Sequence, residues 1–174
     1  MSKFAVYLSH SWEKRDVAFN LWVWDKLAPV CDLLVDKPVT QEKDPPYYIS
    51  RLEELMRRCD VFTAVLTHRA AARSKQRAKP AGDGQLACSP WSLFEIRLAE
   101  RANRPRLVLY ERSTAFRRPV DTPGITYVVF DRGPGDELPA DLERIEQSIK
   151  DWLEWLKNHP LASPRWSLHL RDRW

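Results

Sequence analysis

Residues 89–100, SPWSLFEIRLAE, join a helix start to a carboxylate in an odd place. Ser89 is of the type that caps a helix, its hydroxyl accepting from a free amide of the first turn. Pro90 follows where a missing N–H costs nothing. Trp91, Phe94, Leu98 and Ala102 then recur at helical spacing, an apolar stripe suited to a core. Glu95 lies one turn beyond Trp91, on the border of that stripe. Two readings stay open on the residues alone. Glu95 is either a solvated surface residue paired with Arg97 or Arg101, or a carboxylate that does chemistry.

Few other reactive patterns occur. The stretch SHSWEKRD (9–16) has no glycine, so it is neither a phosphate loop nor a dinucleotide fingerprint. HExxH, CxxC and GxSxG are absent. The four histidines (His10, His68, His159, His169) are scattered; His10 could reach a ligand, although a lone rim histidine is more often structural. What remains is Glu95, Asp36, the hydroxyls of Ser9, Ser11, Ser89 and Ser92, and aromatic surface from Trp12 and Trp91, with Tyr47 and Tyr48 nearby. A single carboxylate suffices where the leaving group needs no proton. The nicotinamide–ribose bond of NAD+ is such a case, because a neutral base departs from a pyridinium; the reaction is glycoside hydrolysis without its general acid. A carboxylate beside the ribose could orient its hydroxyls and stabilise oxocarbenium-like charge. At the ordinary glutamate pKa of about 4.3 it would be ionised at neutral pH, as this role requires. Trp91 could pack against a ring of the substrate.

The elements that must position these groups follow from hydrophobic patterning. Five short apolar runs, 4–9, 31–36, 60–67, 106–111 and 126–131, are near-continuous, as in strands covered on both faces. Helical patterns separate them: 13–27 with Val17, Leu21, Trp24 and Leu27 as its stripe, 47–58 with Ile49, Leu52, Leu55 and Met56, the helix after Ser89, and 140–157 with Leu142, Ile145, Ile149, Leu153 and Leu156. This alternation predicts an α/β domain with a five-stranded parallel sheet of flavodoxin-like order 2-1-3-4-5 and helices on both faces. Its ligand crevice lies at the carboxyl ends of the first and third strands, where the helix carrying Glu95 also begins.

At 174 residues the chain fits one domain. No apolar run approaches the ~20 residues of a membrane span, and a cytoplasmic protein is expected. Cys31, Cys59 and Cys88 have no metal-type or disulfide-type spacing and read as reduced, buried thiols. The net charge of +4 is modest, and nucleic acid is not expected as a partner. A basic run, His68 to Lys79, reads as a solvated loop or a surface for phosphates.

FAVYLSHSWEKRD (4–16) resembles the first strand and loop of the Toll/interleukin-1 receptor (TIR) domain family. YYISRLEELMRRCDVFTAVLT (47–67) is similar to its second helix and third strand. SPWSLFEIRLAE resembles the family's S-x-W-C-x-x-E box, with Ser89, Trp91 and Glu95 in register and Ser92 in place of the cysteine. The resemblance covers roughly residues 3–131 and implies the fold derived above. It implies an NAD+ glycohydrolase or cyclase, with Glu95 catalytic and Ser89 and Trp91 shaping the pocket. Products would be nicotinamide and linear, cyclic or conjugated ADP-ribose. Ser9, His10, Ser11, Trp12 and Asp36 would line the nucleotide side by their place after the first two strands. NAD+ would be substrate, with no further cofactor and no metal.

The family also implies self-association, a separately encoded sensor or effector, and a role in bacterial anti-phage defence. Residues 1–158 would form the domain, and 159–174, bearing Trp166 and Trp174, a tail docked on it or on a partner. The loop after the second strand lacks the family's usual Pro-Gly pair, which leaves the mode of assembly open. Two other readings stand beside this one: a non-catalytic TIR interaction module, and an enzyme like the nucleoside deoxyribosyltransferases, in which a glutamate attacks the sugar.

Overall fold

The computed structural model describes residues 3–36, 45–68, 88–112, 114, 116, 124–133, 135 and 137–159. In chain order they form β1 (Phe4–His10), a 3-10 turn (Lys14–Asp16), α1 (Val17–Leu27), β2 (Cys31–Val35), α2 (Pro45–Arg58), β3 (Val61–Leu66), α3 (Pro90–Arg101), β4 (Arg106–Glu111), β5 (Ile125–Phe130) and α4 (Leu142–Asn158). The strands pair in parallel in the order 2-1-3-4-5, the flavodoxin-like arrangement expected. Because helices cover both faces, every residue of β3 is buried. The loop after β2 (37–44), residues 69–79 of the basic run and the tail at 160–174 lie outside the described residues.

Alternation along the strands divides the core into two layers. Val6, Leu8, Val65, Leu107 and Leu109 face Phe19, Val23 and Leu27 of α1 and Ile145, Ile149, Trp152 and Leu156 of α4. Tyr7, Phe62, Ala64, Leu66 and Val108 face Leu52 and Met56 of α2 and Ile96 and Ala99 of α3. Gly124, at φ +82°, starts β5 with its carbonyl accepting from Arg106 N at 2.8 Å, and the Trp155 ring fills the space where a Cβ would stand.

Two helices turn differently from the expected stripes. In α1, Val17 and Leu21 are 47% and 57% exposed, while Phe19, Asn20, Val23 and Leu27 face the sheet. Apolar residues surround this helix on all sides, so spacing alone does not select its buried face. In α3 the buried residues are Ser92, Glu95, Ile96, Leu98 and Ala99, and Trp91 and Phe94 are half-buried. The core-facing side of α3 therefore carries a serine and a glutamate, which an apolar periodicity could not reveal.

At the carboxyl edge of the α1/α4 layer, the core closes with charges. Arg132 Nη2 donates to Asp16 Oδ1 at 2.8 Å and to Glu111 Oε2 at 3.1 Å, all three side chains being buried. Thr67 Oγ1 donates to Asp16 Oδ2 at 2.7 Å, and the backbone N–H of His68 donates to Glu111 Oε2 at 3.0 Å. Arg15 Nη2 reaches the same Glu111 oxygen at 3.0 Å. The segments following β1, β3 and β5 are thereby tied to the end of β4, which fixes the rim of the sheet.

Candidate active site

Strand order reverses between β1 and β3, the switch point at which open parallel sheets bind ligands. β1 brings Tyr7 and Ser9 to the α2/α3 side there, because residues two apart on a strand share a face. The β1–β2 register pairs Leu8 with Val35, so Asp36, the next residue, stands level with Ser9. Packed on that same face, α3 presents Glu95, which is 8% exposed.

The Glu95 carboxylate is held at both oxygens. Oε1 accepts from the Tyr7 hydroxyl at 2.9 Å, and Oε2 accepts from Ser9 Oγ. Burial pushes its pKa up to about 7; the Ser9 and Tyr7 hydrogen bonds favour the anion and oppose that rise, and the charge of Asp36 adds to it. Burial, reinforced by Glu95, drives the Tyr7 phenol far upward, so Tyr7 acts as a fixed donor. The surface reading of Glu95 is thereby overturned, and so is the ordinary pKa attached to the catalytic one. Glu95 is not a solvated partner of Arg97 or Arg101, and its proton affinity is not that of a free glutamate. The cause is the turn of α3 that points residue 95 at the sheet.

One wall beside Glu95 is aromatic and charged. Arg51 Nη2 lies 2.5 Å from Asp36 Oδ1, with its guanidinium 5.4 Å from the Tyr48 ring centroid. The Tyr48 ring stands 6.2 Å from Trp91, and Trp91 meets Phe94 edge-on at 6.3 Å. A carboxylate with its proton affinity near neutrality, beside a second carboxylate, a guanidinium and aromatic faces, suits a sugar whose anomeric carbon gains positive charge.

The expected residues divide. Ser9, Asp36, Trp91 and Glu95 converge on this side of the sheet. His10 points to the other side, where its Nδ1 lies 2.9 Å from Ser11 O and 3.3 Å from Asn20 Nδ2, because neighbouring residues on a strand alternate. Ser11 Oγ accepts from the Glu13 N–H at 3.1 Å and shapes the turn after β1. Trp12 is 54% exposed, its ring 4.6 Å from His10. Ser89 occupies the N-cap position of α3 with extended backbone, yet its hydroxyl makes no capping bond. Tyr7 and Arg51 were not anticipated. The signal for Tyr7 was its place two residues before Ser9 within an apolar strand; Arg51 had none, since the contact depends on how α2 meets β2. Among the described residues no group of acidic, histidine or cysteine side chains could hold a metal. The three cysteines are free and buried, with burial raising Cys31 and Cys59 to about 11.

No family model matches the chain, and neither does any curated protein. Among solved structures, the CMP N-glycosidase BcmB of Clostridium botulinum is similar in fold, with a TM-score of 0.51 at 13% identity, over 85% of this chain and 98% of that one.

Proposed function

We propose that the chain cleaves the N-glycosidic bond of a nucleotide, with Glu95 as its catalytic carboxylate and NAD+ as the substrate. The observation that carries this reading is the buried Glu95 carboxylate, gripped by Tyr7 and Ser9 at the switch point of the sheet. As the C1′–N bond breaks, its electron pair passes to the pyridinium nitrogen, and nicotinamide leaves neutral. Water adds to C1′ and releases a proton, giving ADP-ribose. The Glu95 anion lies beside the positive charge that forms at C1′ and O4′. The pyridinium of bound NAD+ itself favours that anion, so substrate binding lowers the proton affinity that burial has raised. The aromatic wall of Trp91 and Tyr48 offers faces for stacking. The resemblance to TIR domains supports the same choice of substrate.

A second reading, hydrolysis of a nucleoside monophosphate such as CMP, is favoured by the fold shared with the CMP N-glycosidase. Its leaving group carries no charge and gains from a proton donor, a role the protonated form of Glu95 could fill.

The test incubates purified protein with NAD+ or with CMP and identifies products by mass spectrometry. Nicotinamide release that disappears in Glu95→Gln supports the first reading, and cytosine release supports the second. Equal turnover by wild type and variant removes Glu95 from the mechanism. No turnover of either substrate favours a non-catalytic binding module.

A further inference from the structure

We infer that Arg51 is the specificity residue for the phosphate on the reacting ribose, so that the site selects nucleotides over nucleosides. This rests on the proposed glycosidic cleavage at Glu95. Three charges meet at the carboxyl ends of β1 and β2. Glu95 comes from α3, Asp36 stands level with Ser9, and Arg51 of α2 contacts Asp36 at 2.5 Å. The Arg51 and Asp36 side chains are both partly exposed, 24% and 14%, so a ligand in the crevice can reach either group. The Arg51 guanidinium also lies against Tyr48, whose ring neighbours that of Trp91, one turn before Glu95 on α3. Both charges act on Tyr7, Asp36 raising its proton affinity and Arg51 lowering it, which places them within electrostatic reach of the hydroxyl that grips Glu95.

The chemistry divides between the two side chains. With C1′ at Glu95, the ribose hydroxyls need acceptors, and Asp36 is the carboxylate at the end of β2. A 5′-phosphate lies one ribose length from C1′ and needs a cation. A guanidinium presents five donors in a planar fork, so it can hold a carboxylate on one edge and a phosphate on another. A lysine offers a point charge without that fork. Arg51 also offsets the repulsion that two carboxylates and a phosphate would otherwise feel at close range.

Kinetics of Arg51→Gln and Arg51→Lys with NAD+, nicotinamide mononucleotide and nicotinamide riboside test this. The three share the scissile bond, and the riboside alone lacks phosphate. Arg51→Gln is expected to raise KM for the two phosphorylated substrates by about 10-fold or more beyond its effect on the riboside, which reports any loss passed on through Asp36. Arg51→Lys should recover part of the loss. An equal loss on all three substrates, or none, overturns the inference and leaves the cleavage reading standing. Calorimetric titration with ADP-ribose covers an inactive wild type. Binding that weakens in Arg51→Gln then sinks the catalytic reading but keeps the phosphate contact, whereas binding unchanged by the substitution, or absent from the wild type, overturns the contact as well. Melting curves of both variants confirm that the fold persists.

Discussion

The Tyr7 hydroxyl donates to Glu95 Oε1 at 2.9 Å across 88 residues of sequence, joining the first strand to the helix after the third. That bond, with the one from Ser9, closes β1 onto α3 at the point where the sheet reverses. Both donors sit on a central strand and have little freedom. The carboxylate is therefore held in place before any ligand arrives, the preorganisation that electrostatic catalysis depends on. Burial makes the carboxylate costly to keep ionised despite its two hydroxyl donors, which puts its protonation within reach of physiological pH.

Activity should accordingly follow the ionisation of Glu95. With NAD+, kcat/KM is expected to rise through an apparent pKa near 7 in the free enzyme and to level off above it. Glu95→Gln should lose turnover by roughly 10²-fold or more, judged from other charge-stabilising groups, and its residual rate should not follow that limb. A pH–rate series on both proteins reads this directly. An acid-side optimum for cytosine release from CMP would instead indicate that the protonated form is at work.

Tyr7→Phe removes a donor that favours the Glu95 anion and leaves the ring packing against Phe62, now 5.6 Å away, intact. Without it the proton affinity of Glu95 moves further up, so the alkaline-rising limb should shift to higher pH. The rate on the plateau should fall less than in Glu95→Gln. Ser9→Ala, removing the other donor, should shift the limb in the same direction. A Tyr7→Phe profile superimposable on wild type would show that the bond has no influence on the reacting state.

Stability carries the opposite imprint. The Glu95 pKa rises from 4.5 to about 7 on folding, so between those values the native state holds a proton that the unfolded chain has lost. Stability contributed by the protonated group is complete below about 4.5 and is lost as pH rises through 7. Above that pH the buried charge costs on the order of 3 kcal/mol. Glu95→Gln, which cannot ionise, should thus be more stable than wild type by about 1–3 kcal/mol at pH 8 and similar to it near pH 4. Urea unfolding at the two pH values measures the difference.

The strands and their order were legible because near-continuous apolar runs, as of strands covered on both faces, alternate with helical periods, a pattern that one layered architecture satisfies. Glu95 was legible as a position, while spacing left its environment open between solvent and a functional site. Periodicity placed Trp91 and Phe94 inward, whereas the helix buries Ser92, Glu95 and Ala99 together with Leu98 of the stripe, and Trp91, Phe94 and Ala102 pack, half-buried, at the edge of the α2/α3 core layer. Ser9 and His10 could not both face Glu95, and strand alternation already decides between them, although the partner of each is set by packing. The Arg51–Asp36 pair and the Asp16–Arg132–Glu111 cluster bring together residues from separate segments of the chain, and no spacing within one segment encodes that meeting.

That cluster gives the final prediction. Burial opposes ionisation of Asp16 and Glu111, but hydrogen bonds outweigh it, from Thr67, Ser11 and Arg132 for the first and from Arg132 and the His68 N–H for the second, so both pKa values are lowered. Their contribution to stability is present above the unfolded carboxylate values of about 4 and is lost as pH falls through the lowered folded values. Arg132→Met keeps an unbranched apolar stem and removes the shared donor, leaving two like charges buried at the rim. The expected cost at pH 7 is about 3–5 kcal/mol, the range for breaking a buried ion pair from one side. It should shrink toward pH 4, because protonated carboxyls no longer need the guanidinium. Chemical unfolding across that range decides the matter: a cost that is small at pH 7, or constant with pH, would mean that Arg132 contributes by packing against Phe130, 5.9 Å from its guanidinium, and not by pairing.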